Sequence, residues 1–587
     1  MSWWKGFLIF LILLSLSVSS EESMQMQYDY LKVPASEFVG SIDTIVEVIS
    51  QVTSILSEFA DFSGDSRLQD AVSDCLDLLD VSSDELSWSA YASQNPNAAL
   101  VVPWQWTGLG CKYIPGSIFL LWKLSHIVLL TTAADTSYEN LGESLSWAAP
   151  SIRKLAGKGN GTGNVGSDTK TWLSAALSNQ DTCMEGFDGT SGLIKPLVAG
   201  SLGQLYSMLR DLLPLVDPDQ KPQPITKPRP IAKGPTAPPG RTLRNTDDDE
   251  ESQFPDWFRP DDRRLLETNG VSYDVSVAQD GTGNFTTIMD AVKEAPDYSW
   301  TRFVIYIKKG LYLENVEIKK KKWNLVMLGD GIDVTIISGN RSYIDGSTTF
   351  RSATFAVNGR GFLARDITFQ NTAGPEKHQA VALRSDSDLS VFYRCAMRGY
   401  QDTLYTHTMR QFYRECTITG TVDFIFGDGT VVFQNCQILV KKGLPDQKNT
   451  ITAQGRKEAD QPSGFSIQFS NISADADLVP YLNTTHTYLG RPWKQYSRTV
   501  FMRNNLSDVV RPEGWLEWNT TFALDTLFYG EFLNYGPGSG LSSRVKWPGY
   551  HVFNNSDQAN NFTVSQFIEG NLWLPSTGVT FTAGLGV

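Results

Sequence analysis

The stretch CAMRGYQDTL (395–404) is followed, 21 residues later, by CTITGTVDFI (416–425), a near-copy with cysteine, glycine, aspartate and an apolar residue at the same places. A third cysteine, Cys436, follows Cys416 by 20 residues. Short repeats of β-rich units are typical of a solenoid in which each unit forms one coil stacked on the last. Equivalent residues then lie one strand spacing apart, about 4.8 Å. The repeat therefore predicts a right-handed parallel β-helix.

The same register predicts a cluster of polar side chains. Asp402 and Asp423 fall on neighbouring coils, and Gln379, which precedes Gln401 by 22 residues, falls one coil further along. Two carboxylates at strand spacing do not both ionise easily, so we expect one to keep its proton at mildly acidic pH. That division suits a carboxylate nucleophile beside a carboxylic acid. The alternative is that both aspartates only stabilise turns, as aspartate often does.

The charge of the chain is unevenly distributed. The 587 residues carry a net charge of −14, yet residues 267–587 hold 30 Lys+Arg against 31 Asp+Glu, so the remaining −13 belongs to residues 1–266. A near-neutral second half argues against nucleic acid as a partner. The one basic cluster there, Lys319–Lys322, is either a solvated turn or a contact for an anionic ligand.

Residues beyond Val271 have the pattern of an all-β domain. Short apolar runs are separated by Gly, Asn and Asp. No helices of ten to fifteen residues alternate with them, which disfavours a Rossmann or TIM arrangement, and the repeat favours a β-helix over a sandwich. The predicted strands are 303–307, 325–328, 334–337, 353–357, 367–370, 389–393, 411–418, 431–439, 450–453 and 465–469.

The first half reads as a secreted, helical region. Residues 1–20 have the charge and apolar run of a signal peptide, too short to span a bilayer comfortably, so no stable membrane association is expected. Within 35–216, apolar residues recur every three or four positions and predict an all-α antiparallel four-helix bundle. Its helices are expected at 37–61, 67–79, 169–184 and 193–213.

Two segments of the first half fit no helix of the bundle. Residues 97–156 form an atypical insert, for which a membrane-touching helix is the alternative. Residues 217–266 form a linker rich in proline and acidic residues, with a candidate processing site, RRLL, at 263–266 and a second, RTLR, at 241–244. The remaining residues, 267–587, are predicted to be the catalytic domain.

The six cysteines suit disulfides better than a metal, because no CxxC pair and no histidine cluster accompanies them. Stacking would bring three together at a Cα spacing that a disulfide tolerates, so two pair and one stays free. We expect the bond between Cys416 and Cys436, and a second between Cys75 and Cys183 in the helical region. No metal and no cofactor are called for.

Five motifs, in order along the chain, closely resemble the signature motifs of plant-type pectin methylesterases. They are GLYLE (310–314), QAVAL (379–383), YQDTL (400–404), GTVDFIFG (420–427) and LGRPW (489–493). The first half resembles the inhibitor-type pro-region that accompanies many of these enzymes, and RRLL resembles their processing site. No cysteine precedes Cys75, and the insert separates Cys75 from Cys183; both features depart from the family pattern and bear on whether this pro-region inhibits.

The resemblance implies a role for each residue of the cluster. Asp423 is the nucleophile, Asp402 the proton donor and base, Gln401 and Gln379 stabilise the oxyanion, and Arg491 positions Asp423. The implied substrate contacts are Thr349, Gln379, Arg491 and Trp493.

The resemblance also implies partners and a location. The substrate is methyl-esterified homogalacturonan in the cell wall, and the partners are a proteinaceous inhibitor and a subtilisin-like processing protease. Competing hypotheses are a β-helical pectate lyase or polygalacturonase, and a wall-binding protein without activity. A lyase would require clustered acids for Ca²⁺, which the sequence does not show.

Overall fold

The structure is a computed structural model of the chain and describes residues 30–60, 65–94, 161–190, 193–218 and 272–586. The predicted signal peptide, the insert at 97–156 and the processing sites at 241–244 and 263–266 lie outside these residues. The described residues form a helical bundle followed by a long β-structure.

Four helices form the bundle, which confirms the predicted fold of the first half. Helix α1 packs against α2 and α4, and α3 packs against α2 and α4, around a shared apolar core. A disulfide joins Cys75 on α2 to Cys183 on α3, the predicted pair. By length and composition α1 is apolar enough to cross a membrane, but its apolar residues are buried in the bundle. The helices are α1 (Ala35–Ser57), α2 (Ser66–Gln94), α3 (Val165–Gly186) and α4 (Ile194–Leu212).

Helix α2 is much longer than predicted. It continues for 15 residues beyond Leu79, where the predicted helix ends. The added turns are rich in serine and acid, and they lack a clear apolar stripe. Their polar groups are satisfied across an interface instead: Glu85 accepts a hydrogen bond from Asn179 at 3.2 Å. Asp84 lies 2.7 Å from the Lys320 ammonium. Hydrogen bonds and ion pairs to other parts of the chain thus stabilise helical turns that the apolar pattern does not predict.

Twenty-six short strands make up the described part of the second half. The first nine are β1 (Val275–Val277), β2 (Phe303–Ile307), β3 (Gly310–Tyr312), β4 (Val316–Ile318), β5 (Leu325–Gly329), β6 (Thr335–Gly339), β7 (Phe355–Val357), β8 (Leu363–Arg365) and β9 (Thr368–Asn371). The next nine are β10 (Leu383–Ser385), β11 (Ser390–Tyr393), β12 (Ala396–Arg398), β13 (Leu404–Thr406), β14 (Arg410–Arg414), β15 (Thr417–Gly420), β16 (Ile425–Gly427), β17 (Thr430–Gln434) and β18 (Gln437–Val440). The last eight are β19 (Asn449–Gln454), β20 (Gly464–Gln468), β21 (Asn471–Ala474), β22 (Thr487–Gly490), β23 (Arg498–Met502), β24 (Asn505–Leu506), β25 (Phe528–Phe532) and β26 (Tyr550–Val552).

These strands form three parallel sheets, and successive coils contribute one strand to each, which confirms the predicted parallel β-helix. Sheet A has the order β1-β2-β5-β8-β11-β14-β17-β20-β23-β25-β26. Sheet B runs β22-β19-β16-β13-β10-β7-β4, and sheet C runs β24-β21-β18-β15-β12-β9-β6-β3. Leu404 pairs with Ile425 and Ala396 with Thr417, so the 21-residue repeat is the register of the coils.

The corner between sheets A and C is two residues long and splits two of the predicted strands. The predicted strand 411–418 becomes β14 and β15, with Glu415 between them at φ 54°. The predicted strand 431–439 becomes β17 and β18, divided near Asn435 at φ 57°. Arg394 occupies the same corner on the preceding coil. A left-handed residue turns the chain sharply, so one apolar run supplies strands to two sheets.

Short helices cover the ends and one outer face of the β-helix. Helix α5 (Ile288–Glu294) packs its apolar side on the first coils. Near the C-terminus, α6 (Ser556–Asn560), α7 (Val564–Phe567) and α8 (Gly570–Trp573) lie against the outer face of sheet A. The bundle packs on the outer face of sheet B, where Val381, Tyr405 and Phe426 join its core.

Side chains inside the β-helix stack in ladders along its axis. The rings of Phe392, Tyr413 and Phe433 stack with centroids 4.8 and 4.9 Å apart. The three cysteines of the repeat form a similar ladder, and all three are buried free thiols.

The predicted disulfide between Cys416 and Cys436 is therefore wrong. The Cys416 thiol donates to the Phe392 carbonyl at 3.2 Å, and Cys436 donates to the Tyr413 carbonyl at 3.6 Å. Burial raises the pKa of Cys416 well above its ordinary value. In the structure each thiol is thus accommodated in the ladder as a hydrogen-bond donor, without a covalent bond to its neighbour.

We predict that the aromatic ladder is a main source of stability in the β-helix. Phe392→Ala removes a fully buried ring that stacks on Tyr413 and packs at an angle against Phe362, and it should lower the free energy of unfolding by about 3–5 kcal/mol. Chemical denaturation followed by fluorescence measures the change. Phe522→Ala, at a ring that is 39% exposed, is the matched control and should have little effect. Equal effects of the two substitutions would contradict the prediction.

Candidate active site

Asp402 and Asp423 occupy the same corner on adjacent coils, directly before strands β13 and β16 of sheet B. Both have left-handed backbones, with φ of 61° and 51°. The Asp402 amide donates to the Val422 carbonyl at 3.1 Å, which holds the two corners in register. Non-glycine residues in this conformation cluster at functional sites. The structure thus places the two predicted acids side by side.

Asp423 is fixed by two neighbours. Arg491, directly after β22, donates from Nε and Nη2 to the two carboxylate oxygens at 2.8 and 2.6 Å. The Thr450 hydroxyl donates to Oδ1 at 2.6 Å. A bidentate guanidinium fixes both the charge and the orientation of a carboxylate. The plane of the Asp423 carboxylate is therefore defined, with the guanidinium charge directly against it.

Asp402 has the opposite electrostatic environment. Burial raises the pKa of its carboxyl well above the ordinary value, and the neighbouring Asp423 charge raises it further. Arg491 lowers the pKa of Asp402 but does not compensate for the other two effects. The proton is thus favoured on Asp402, while the Arg491 guanidinium lies against Asp423, a difference between two neighbouring carboxyls that suits acid–base chemistry.

A cavity of about 410 Å³ opens over the two acids, and it also contains the other predicted residues. Gln379 and Gln401 line it from adjacent coils, and the Ala380 amide donates to the Gln401 carbonyl at 3.3 Å. The predicted substrate contacts also line it, namely Thr349, Arg491 and Trp493. The structure thus gathers every predicted catalytic and substrate-contact residue at one site.

Two functional side chains were missed by sequence reasoning. Trp518 lines the cavity and lies against the Arg491 guanidinium, 4.4 Å from the centre of its ring. It belongs to an irregular segment that no repeat or motif marks. Thr450 precedes Thr452, which pairs with Ile425, so Thr450 occupies the position of Asp423 one coil later. Thr450 could have been predicted from the sequence if the repeat had been allowed a coil longer than 21 residues.

The helical bundle forms one wall of the same cavity. Asp74 on α2 lines it, and so do Thr182, Glu185 and Gly186 on α3. Asp74 accepts a hydrogen bond from Arg351 at 2.7 Å, and Thr182 bonds to the His407 ring at 2.8 Å. The acids are thus covered from outside by a separate part of the chain.

The side chains around the two acids do not form a recognisable metal site. In the part of the chain that the structure describes, no group of three or more His, Cys, Asp or Glu side chains is arranged to hold a metal ion.

We predict that Asp402 destabilises the folded protein at neutral pH. The folded carboxyl holds a proton that the unfolded one, with an ordinary pKa of 3.8, releases, so stability falls as pH rises above about 4. Asp402→Asn should raise the free energy of unfolding at pH 7 by about 1–3 kcal/mol, the usual cost of an unsatisfied buried polar group. The gain should vanish at pH 3.

Chemical denaturation at the two pH values tests this. Asp423→Asn is the comparison, because it removes the partner of Arg491 and should lower stability at pH 7. A loss of stability at pH 7 in Asp402→Asn would show that its carboxylate is well satisfied and would contradict the prediction.

Comparison with known proteins agrees with this site. Residues 274–571 match the pectinesterase family, and residues 123–213 match the plant invertase/pectin methylesterase inhibitor family. The chain is 77% identical over 585 residues to "Probable pectinesterase/pectinesterase inhibitor 44" of Arabidopsis thaliana, covering 100% of both chains. It is 58% identical over 563 residues to "Pectinesterase/pectinesterase inhibitor PPE8B" of Prunus persica, covering 96% of this chain and 92% of that one.

A solved structure resembles the β-helix alone. "Pectin methylesterase from Carrot" is 53% identical with a TM-score of 0.54, and the match covers 54% of this chain and 100% of that one. A β-helix of this kind therefore exists as a whole chain without a bundle. The motifs, the site geometry and these matches agree: the chain belongs to the pectinesterase family and carries an inhibitor-type domain in front of the pectinesterase domain.

Proposed function

We propose that the protein hydrolyses the methyl esters of homogalacturonan, the galacturonate polymer of pectin, to carboxylates and methanol. The observation that carries this proposal is the pair of unlike acids: Asp423, bound on both oxygens by Arg491, beside Asp402 with a raised pKa. An ester can be cleaved by such a pair without a metal or a cofactor, because one acid attacks while the other supplies a proton.

The first half-reaction proceeds as follows. An Asp423 oxygen attacks the ester carbonyl carbon and forms a tetrahedral oxyanion, to which the side-chain amides of Gln379 and Gln401 donate hydrogen bonds. The oxyanion collapses, the bond to the methoxy oxygen breaks, and Asp402 transfers its proton to the departing methoxide. Methanol leaves, and an anhydride joins Asp423 to the galacturonate carbonyl.

The second half-reaction restores both acids. Asp402, now ionised, takes a proton from water as the water attacks the galacturonate carbonyl of the anhydride. The bond to Asp423 breaks, the product leaves as the galacturonic acid and releases its proton to solvent, and the enzyme returns to its starting protonation. Arg491 keeps Asp423 oriented in both steps, and the rings of Trp493 and Trp518 offer flat apolar faces to the sugar.

We further propose that the bundle inhibits the enzyme until the linker is cut. Helices α2 and α3 close the outer side of the cavity, where a polymer would have to lie. The covering helices are held together by the disulfide Cys75–Cys183, and each of these cysteines adjoins a cavity-lining residue, Asp74 and Thr182 respectively. This arrangement supports inhibition despite the absence of a cysteine before Cys75.

Removal of the bundle requires proteolysis, and we propose that it takes place at RRLL, 263–266, during secretion to the cell wall. The dibasic pair lies in the linker between bundle and β-helix, where a subtilisin-like protease would separate the two. The apolar N-terminal residues 1–20 suit a signal peptide for this route.

The esterase proposal predicts that the 267–587 fragment releases methanol from methylated pectin. Asp423→Asn should lower the rate by at least about 1000-fold, because it removes the nucleophile. Methanol is measured enzymatically, and the unsaturated products of a lyase are followed by ultraviolet absorbance. The proposal is wrong if the wild-type fragment releases no methanol, and ultraviolet-absorbing products would identify a lyase instead.

The inhibition proposal predicts that the full secreted chain is at least about tenfold less active per mole than the 267–587 fragment. Cleavage of the full chain in the linker, followed by separation of the bundle, should restore the activity of the fragment. A matched control is Asp211→Asn in the full chain, at an exposed carboxylate outside the cavity whose described ion pair is with Arg210 of the bundle, and it should leave the inhibition unchanged. Equal activity of full chain and fragment would reject inhibition.

A further inference from the structure

The interface between bundle and β-helix is strongly one-sided in charge. Its ion pairs place the carboxylate on the bundle and the cation on the β-helix. The carboxylates come from α2 and α3. The cations come from loops that border the strands of sheet B, except Arg410, which begins β14 of sheet A. The described pairs are Asp74–Arg351, Asp77–Arg351, Asp77–Lys319, Asp80–Lys320, Asp84–Lys320, Asp168–Arg410, Asp181–Lys457, Asp181–Lys494 and Glu185–Lys494.

Two of these pairs border the catalytic cavity. Asp74 and Glu185 line the cavity, and each is paired with a cation beside a predicted substrate contact. Arg351 follows Thr349 by two residues and donates to Asp74 at 2.7 Å. Lys494 follows Trp493, lies 2.7 Å from Asp181 and also bonds to Glu185.

The two cations lie on opposite sides of the acids along the β-helix axis. Arg351 precedes β7, Asp423 precedes β16, and Lys494 follows β22. Three strand spacings of sheet B separate the coil of β7 from that of β16, and two separate β16 from β22. At about 4.8 Å per spacing, the cations sit about 14 Å and about 10 Å from the nucleophile along the axis.

Removal of the bundle leaves both cations nearly unpaired. Among the described residues, Lys494 forms ion pairs only with Asp181 and Glu185, which both belong to the bundle. It has no carboxylate partner in the described part of the β-helix. Arg351 retains only Glu317, at 3.9 Å. Their partners on the bundle are carboxylates held at the wall of a cavity that opens onto the ester-cleaving acids.

We propose that Arg351 and Lys494 bind the free carboxylates of galacturonate units that flank the reacting ester, and that Asp74 and Glu185 of the bundle occupy those carboxylate positions before cleavage. The inference rests on the proposed function, since it assigns specificity within the same cleft. Each hydrolysis then converts a neutral ester into a carboxylate that these cations attract. The enzyme therefore prefers partly de-esterified chains to fully esterified ones.

The test uses the 267–587 fragment, which corresponds to the β-helix that occurs as a whole chain in the carrot enzyme. Lys494→Gln and Arg351→Gln should each lower kcat/KM on half-esterified homogalacturonan by roughly two- to fivefold, the range for a partly exposed ion pair. Both should leave kcat/KM on fully esterified chains unchanged. The double variant should show the product of the two effects, because the sites are far apart.

A binding readout separates this role from a general loss of activity. Fully de-esterified oligogalacturonate should inhibit the wild-type fragment competitively, and each variant should raise its inhibition constant by the same two- to fivefold. Lys308→Gln, outside the cavity and bonded to Thr282, is the matched control and should change neither constant. Raising the ionic strength should reduce the wild-type preference toward that of the variants.

Two outcomes overturn the inference without touching the proposed function. One is an equal effect of the variants on half-esterified and fully esterified chains. The other is weaker inhibition of the fragment by added bundle with an unchanged substrate preference, which would make Arg351 and Lys494 docking residues for the bundle only. Absence of methanol release by the wild-type fragment would instead reject the proposed function itself.

Discussion

In-register hydrogen bonding between successive parallel coils is the constraint on which this structure depends. Leu383 pairs with Leu404 and Leu404 with Ile425, so residues 21 positions apart in sequence become neighbours in space. A slip of one residue would move every core side chain to the surface. The same register that stacks the aromatic core also brings Asp402 against Asp423, so stability and site geometry share one cause.

The pair of acids shows how a symmetric scaffold produces unlike groups. The two aspartates have equivalent backbones at equivalent corners, yet only Asp423 receives Arg491 and Thr450. Asp402 is buried and lies beside the charge of Asp423, and both effects raise its pKa. The difference between the two aspartates arises because Thr450 and Arg491 come from later coils, which depart from the 21-residue period.

The parts of the fold and the site that the sequence could predict are those that depend on period and local pattern. The repeat predicted the neighbouring aspartates and glutamines, and the family motifs added Arg491, which no spacing would have placed beside Asp423. The cysteine ladder was predicted correctly, but its disulfide was not, because a stacked thiol can satisfy itself on a backbone carbonyl. Trp518 and the polar half of α2 were missed, since both are fixed by tertiary contacts that leave no periodic signal.

The negative charge of the first half of the sequence is explained in part by the interface between the bundle and the β-helix. The excess of carboxylates in the first half includes those that α2 and α3 present to basic side chains around sheet B. Such pairs gain little where they are exposed, but Asp74 is fully buried, and burial raises the pKa of its carboxyl to about 6 despite the Arg351 charge. Burying charge in this way is a weak source of affinity and a strong source of positional specificity. Under the proposed inhibition, a covering domain held by carboxylates competes with a carboxylate polymer for the same cations. Val381, Tyr405 and Phe426 of the β-helix share an apolar cluster with the core of the bundle, so the interface also buries apolar surface.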